Sequence, residues 1–104
     1  METLSFSLRA ERVLRGTGRQ AIVGVVASGN LEVLAERIED GTGCRVEVST
    51  AAEGFGDVWK AVVGDFVERV SPGGVCFSIN DGGARPDTVM LRLMQAARVL
   101  ESAS

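Results

Sequence analysis

The chain contains no histidine and no tyrosine, and only two prolines, two cysteines and one tryptophan in 104 residues. Histidine is the commonest general base near neutral pH. Without it neither a Ser-His-Asp nor a Cys-His arrangement can be assembled here, and a hydrolytic serine would need Lys or Glu to activate it. That moves the expectation from catalysis toward binding or carriage, and no catalytic residue is assigned. Cys44 and Cys76 lie in different predicted strands without Cys-x-x-Cys spacing, and no histidine completes a metal shell. Both read as reduced, buried or half-buried thiols, and no metal site is expected. Nowhere do about 18 apolar residues follow one another as a membrane span requires, and Met1 to Phe6 lacks the basic-then-apolar pattern of an export signal. A cytoplasmic protein with no membrane partner is expected. Eleven Lys and Arg against fourteen Asp and Glu give a net charge of −3 with no basic run, so the footprint of a nucleic-acid binder is missing.

What is present is the composition of a folded protein, 45% hydrophobic and 24% charged, at a length suited to a single domain, residues 1–104, around one core. Leu4, Phe6 and Leu8 alternate with polar residues and predict a half-buried strand. Arg9 to Gln20 is charged, with Gly16-Thr17-Gly18 as a turn signal, and Arg9 to Arg15 reads as a possible helical turn to which no role is assigned. Ala21 to Val26 predicts a buried strand, and Leu31, Val33 and Ala35 alternate in the next. With only Ala27-Ser28-Gly29-Asn30 between them, these two strands are expected to form a hairpin. Cys44, Val46 and Val48 mark a fourth strand. The period then changes, with Phe55, Val58, Trp59, Val62, Phe66 and Val70 at helical spacing. Gly64 inside that helix costs about 1 kcal/mol relative to alanine, and Ser71-Pro72-Gly73-Gly74 ends it. Val75, Phe77 and Ile79 form a last strand, closed by Asn80-Asp81-Gly82-Gly83. Pro86 opens a final helix carrying Val89, Met90, Leu93, Met94, Ala97 and Leu100. The expected fold is α+β: a two-layer sandwich of a mainly antiparallel sheet of about five strands with two helices on one face.

Ser28 stands at the tip of the predicted hairpin between Ala27 and Gly29, where an exposed hydroxyl with small neighbours suits a modification site. Ser-Gly-Asn is also ordinary hairpin chemistry, and position alone leaves both readings open. Asn80 and Asp81 fit an Asx turn better than an acidic docking site. Trp59 sits on the apolar stripe and reads as core, and Gly16 to Arg19 lacks the Gly-Lys-Ser/Thr ending of a phosphate loop. Glu32 and Glu36 fall on the solvent side of their strand.

Three co-linear segments carry a resemblance. Val23-Gly24-Val25-Val26-Ala27-Ser28-Gly29-Asn30-Leu31-Glu32-Val33-Leu34, Glu53-Gly54-Phe55-Gly56-Asp57-Val58-Trp59-Lys60-Ala61-Val62, and the run from Ile79 to Ala96 resemble, in order and spacing, the delta subunit of malonate decarboxylase, its acyl carrier protein. The resemblance implies that residues 1–104 form an acyl-carrier domain, a non-catalytic subunit in malonate catabolism. It implies a cofactor, 2′-(5″-phosphoribosyl)-3′-dephospho-CoA, bound to Ser28 by a covalent phosphodiester, whose terminal thiol holds acetyl and malonyl groups in turn as thioesters. It implies partners as well: an acetyl-carrier:malonate transferase subunit, malonyl-carrier decarboxylase subunits and the enzyme that attaches the prosthetic group. Ala27 stands where the family favours glycine and Asn30 where it favours aspartate. Gly82 replaces an aromatic residue, and Arg85 a threonine suited to capping the last helix, a change worth about 1 kcal/mol where nothing else caps that end. The alternative reading is a non-catalytic assembly or regulatory subunit of similar fold without an arm. A stand-alone enzyme is disfavoured by the missing histidine.

Overall fold

The structure, a computed structural model, describes residues 1–24 and 31–102. Five strands form one sheet: β1 (Glu2–Arg9), β2 (Gln20–Val23), β3 (Leu31–Arg37), β4 (Gly43–Thr50) and β5 (Val75–Asp81), in the order β1-β4-β5-β3-β2. β1 with β4, β5 with β3 and β3 with β2 pair antiparallel, whereas β4 and β5 run parallel at the centre. Parallel neighbours need a crossover, and helix α1 (Gly56–Val70) supplies it. Helix α2 (Pro86–Ser102) follows β5. The expected α+β sandwich and the β2–β3 hairpin pairing are present. β2 stops at Val23, because Gly24 takes a positive φ of 81° that no strand residue adopts, and the predicted extension over Val25 and Val26 lies outside the described residues.

The period-two pattern sets the two faces. Leu4, Val48, Ile79, Val33 and Val23 stand in one row across the strands and Phe6, Val46, Phe77, Ala35 and Ala21 in the next, all toward the helices. The intervening rows, such as Ser7, Arg45, Cys76, Glu36 and Gln20, form the face without helices. Phe66 of α1 meets Phe77 edge-on, centroids 5.1 Å apart at 87°, an arrangement aromatic quadrupoles favour. From α2, Val89, Leu93, Ala96, Ala97 and Leu100 are buried, and Met90 and Met94 flank them.

Two expectations are corrected. The buried stripe of α1 is Trp59, Val63, Phe66 and Val67, not one led by Phe55 and Val58, which are 51% and 42% exposed. Phe55 occupies the N-cap position and Val58 lies 100° around the axis from Trp59, so both face the helix's flank. Arg9 to Arg15 contains no helical turn. Leu14 donates to the Gly73 carbonyl and Gly73 to that of Arg12, so the segment is strapped to the turn after α1 through a bridge at Val13.

Arg37 fixes the rest of that strap. Leu31, Val33 and Ala35 point inward, so parity aims Arg37 inward too, at the end of the sheet where no apolar partner waits. Its guanidinium donates from Nε to the Gly18 carbonyl (2.6 Å), from Nη1 to that of Leu14 (2.5 Å), and from Nη2 to those of Arg15 (2.5 Å) and Leu100 (3.3 Å). One cation therefore ties residues 14–18 to the end of α2.

Candidate functional site

The end of the sheet opposite Arg37 gathers the remaining connections. In register, Leu31 stands beside Asp81 and Asp81 beside Thr50, so the start of β3 and the ends of β4 and β5 lie together, with both helices beginning nearby. Ser28, Ala27 and Asn30 lie outside the described residues. Their flanks, Gly24 and Leu31, are described and define the root of segment 25–30.

Gly24 has a structural reason to be glycine beyond its φ of 81°. A Cβ there would collide with the Leu31 carbonyl oxygen and lie 3.3 Å from Nε of Arg92. The root is pinched, with the Arg92 guanidinium laid against it. Arg92 projects from α2, and its Nη1 donates to Oε1 of Gln95 one turn on (3.0 Å). Its Nε is buried without a hydrogen-bond partner among the described residues. Buried donors are rarely left so, because each unpaired one costs about 1–3 kcal/mol, more when charged.

The β5–α2 turn is organised by Asp81. Its Oδ2 accepts from Thr50 Oγ1 (2.7 Å) and its Oδ1 from the Ala84 amide (2.8 Å). The expected turn role thus falls to Asp81, while Asn80 on the open face donates to Glu32 (3.2 Å). Beside this turn opens a cavity of about 340 Å³, walled by Phe55, Trp59, Val62, Ala84, Pro86 and Val89. Asp81 also lines it, with each carboxylate oxygen accepting one hydrogen bond. The lining of the cavity is mainly apolar. Trp59 is buried with its stripe as expected, and also walls the cavity.

The other sequence candidates are structural. Glu36 accepts from Gln20 on the open face, and the glycines at 16 and 18 pack against the end of α2, where Gly18 donates to the Leu100 carbonyl. Cys44 and Cys76 are free thiols on opposite faces of the sheet. Burial, with Cys76 nearby as a smaller cause, pushes Cys44 up to about 12. Burial also raises Cys76, against the lowering influence of Arg45. Among the described residues no cluster of His, Cys, Asp or Glu could hold a metal ion, and no helix is long and apolar enough to cross a membrane. Sequence reasoning passed over Arg37, Arg92 and Gly24. Strand parity pointed to Arg37, and the i, i+3 spacing from buried Val89 pointed to Arg92.

Comparison with known proteins gives one answer. The family model described as "Malonate decarboxylase delta subunit (MdcD)" matches residues 18–100. The malonate decarboxylase acyl carrier protein of Bradyrhizobium diazoefficiens is 63% identical over 98 residues, covering 94% of this chain and 93% of its own. That of Xanthomonas campestris is 50% identical over 103 residues, 99% and 98% of the two chains. A chain from the crystal structure of a Pseudomonas malonate decarboxylase hetero-tetramer in complex with malonate superimposes with a TM-score of 0.82 at 36% identity, over 96% of this chain and 99% of that one.

Proposed function

The chain belongs to the malonate decarboxylase delta subunit family, and from that premise we propose that it is the acyl carrier of a malonate decarboxylase, with its prosthetic arm attached through the hydroxyl of Ser28. The observation that carries this reading is similarity along nearly the whole chain to relatives that bear the acyl carrier name. The arm is 2′-(5″-phosphoribosyl)-3′-dephospho-CoA, and when bound it supplies a terminal thiol that takes acetyl and malonyl groups in turn. The residues present fit such an anionic group: segment 25–30 is rooted at a tightly packed glycine beside a guanidinium whose buried Nε has no partner among the described residues.

This chain's own residues hold and present. The Leu31–Asp81–Thr50 row anchors one side of the root to the centre of the sheet. Asp81, bonded to Thr50 and Ala84, fixes the neighbouring turn and borders the apolar cavity at the same end. The subunit is a carrier rather than a catalyst. Its partners are the transferase subunit that exchanges malonate for the bound acetyl group, the decarboxylase subunits and the enzyme that installs the arm, all meeting it in the cytoplasm. A tether of this kind raises the effective concentration of cargo at each partner in turn.

Intact mass and peptide mapping of the chain, coexpressed with arm-synthesising and arm-attaching enzymes, test the reading. The added mass is expected on the peptide containing Ser28. Ser28→Ala is expected to fold normally and to leave a reconstituted complex unable to turn over malonate. An unmodified Ser28 under these conditions overturns the carrier reading and favours an assembly subunit without an arm.

A further inference from the structure

Strand β1 presents an edge that folded proteins rarely leave bare. It pairs with β4 on one side only, and the register runs unbroken from Glu2 to Arg9, so no bulge interrupts it. Edge strands are ordinarily guarded by charge, proline or a bulge, because a row of unpaired main-chain groups is a template for another chain. Between Thr3 and Leu8, β1 carries neither charge nor proline. The opposite edge strand, β2, is half as long.

Hydrogen-bond parity shows which groups are open. Ala10 donates to the Thr42 carbonyl, which makes those two residues a bonded pair of the antiparallel ladder. Counting back in steps of two, Leu8, Phe6 and Leu4 spend their main-chain groups on β4, whereas Arg9, Ser7, Ser5 and Thr3 turn theirs to the free edge. The Ala51 amide, which donates to the Asp81 carbonyl on the β5 side, gives β4 the same parity. The side chains add a second property. Leu4-Ser5-Phe6-Ser7-Leu8 reads the same in both directions, and its three apolar side chains pack against the core while only half-buried.

We infer that β1 is a self-pairing edge, joining two copies of this chain antiparallel about a two-fold axis at Phe6 into one continuous sheet. In that register Thr3 meets the partner's Arg9 and Ser5 the partner's Ser7, so the outward-turned residues stand opposite one another and exchange their free amides and carbonyls. Phe6 stands against the partner's Phe6 and Leu4 against the partner's Leu8, all on the helix-bearing face, where cross-strand apolar pairs stabilise a sheet. A groove of about 410 Å³, lined by Ser7, Leu8, Gly64, Val67, Glu68 and Ser71, opens beside the second half of β1 and takes the partner's Leu4. Within the paired strands no like charges are opposed, since the Glu2 end of each lies beside the Arg9 end of the other. Such a contact uses one patch twice and closes on itself. The candidate functional site lies at the Glu2 end of β1, where Thr50 is the register partner of Glu2. The two sites of the pair therefore open at opposite ends of the joined sheet.

Sedimentation velocity of the full chain over a concentration series reaching the millimolar range tests self-pairing. A monomer–dimer equilibrium is expected, with the Ser5 and Ser7 amides gaining hydrogen-exchange protection as dimer forms. Ser7→Pro removes an outward amide from each copy at an edge position where proline is tolerated. It is expected to leave the monomer folded by circular dichroism and to weaken association about 30-fold. If S7P fails to fold, two double variants carry the same test: S5K/S7K and S5E/S7E should each be monomeric, and mixing them should restore a dimer, because positions 5 and 7 face each other across the axis. A chain that stays monomeric throughout the series overturns the inference. So does a dimer that S7P leaves intact, one that protects the β2 amides in place of Ser5 and Ser7, or a mixture of the double variants that stays monomeric. None of these outcomes bears on the carrier reading, which stands or falls on the mass added at Ser28.

Discussion

Replacing Arg37 with methionine keeps most of the apolar stem and removes all four donations to main-chain carbonyls. Two of these, to Leu14 and Gly18, are short and partly buried, so water replaces them poorly when the guanidinium is lost. The bond to Arg15 is exposed and the one to Leu100 is long, and both are counted as nothing. Hydrogen bonds to a charged group contribute about 1.5–3 kcal/mol each, and the low end suits partly buried ones, so Arg37→Met is expected to cost about 3 kcal/mol. At this chain length that is a fall in Tm of about 14 °C. Urea and thermal unfolding followed by circular dichroism give the magnitude, and hydrogen exchange gives the place. The Leu14 and Gly18 amides, which donate to the Gly73 and Leu100 carbonyls, should lose protection before those of the central strands. Arg37→Lys, with one compact cation in place of a fork, should recover less than half of the loss. A cost below about 1 kcal/mol for Arg37→Met, or unchanged protection of both amides, would refute the argument that this cation straps the end of the fold.

Two further outcomes follow from single features. Gly64 lies within α1 and a Cβ there meets nothing within 4 Å, so Gly64→Ala should raise stability by about 0.5–1 kcal/mol in denaturant melts, and a loss would contradict the open space at that position. Cys44 has a folded pKa of about 12 against 9.0 for the ordinary thiol, so its contribution to stability is full below about 9 and is lost as pH rises toward 12. Wild-type urea midpoints should therefore fall more steeply with alkaline pH than those of Cys44→Ala, and parallel profiles would show that the thiol is not held neutral.

Much of the fold was legible because period-two and period-3.6 patterns are local. Leu4, Phe6 and Leu8, or Cys44, Val46 and Val48, can hardly be read otherwise. What the pattern could not supply was partnership. That β4 lies parallel to β5 with β1 and β3 outside them depends on contacts between distant residues, to which alternation is blind. The α1 stripe was misplaced around the axis because Phe55 and Val58 are apolar without being core: they edge the cavity, and hydropathy does not separate the two. Arg9 to Arg15 looked helical by composition, whereas its backbone is claimed by Gly73 and Arg37, neither of them near in sequence. Ser28 was singled out by resemblance and not by physics, because a serine between Ala27 and Gly29 carries no local chemical signature of a modification.

The two ends of the sheet divide the molecule's obligations. At one, Arg37 and the close-packed glycines bind residues 10–18 to α2, so substitutions there are paid for in folding. At the other lie the root of segment 25–30, the Asp81 turn and the rim of the cavity, where Phe55 and Val58 already stand half in solvent. Change at that second end is nearly free of the first. That end can be remodelled with little cost to the scaffold, so an engineer altering the exposed surface of this subunit should confine substitutions to that pole.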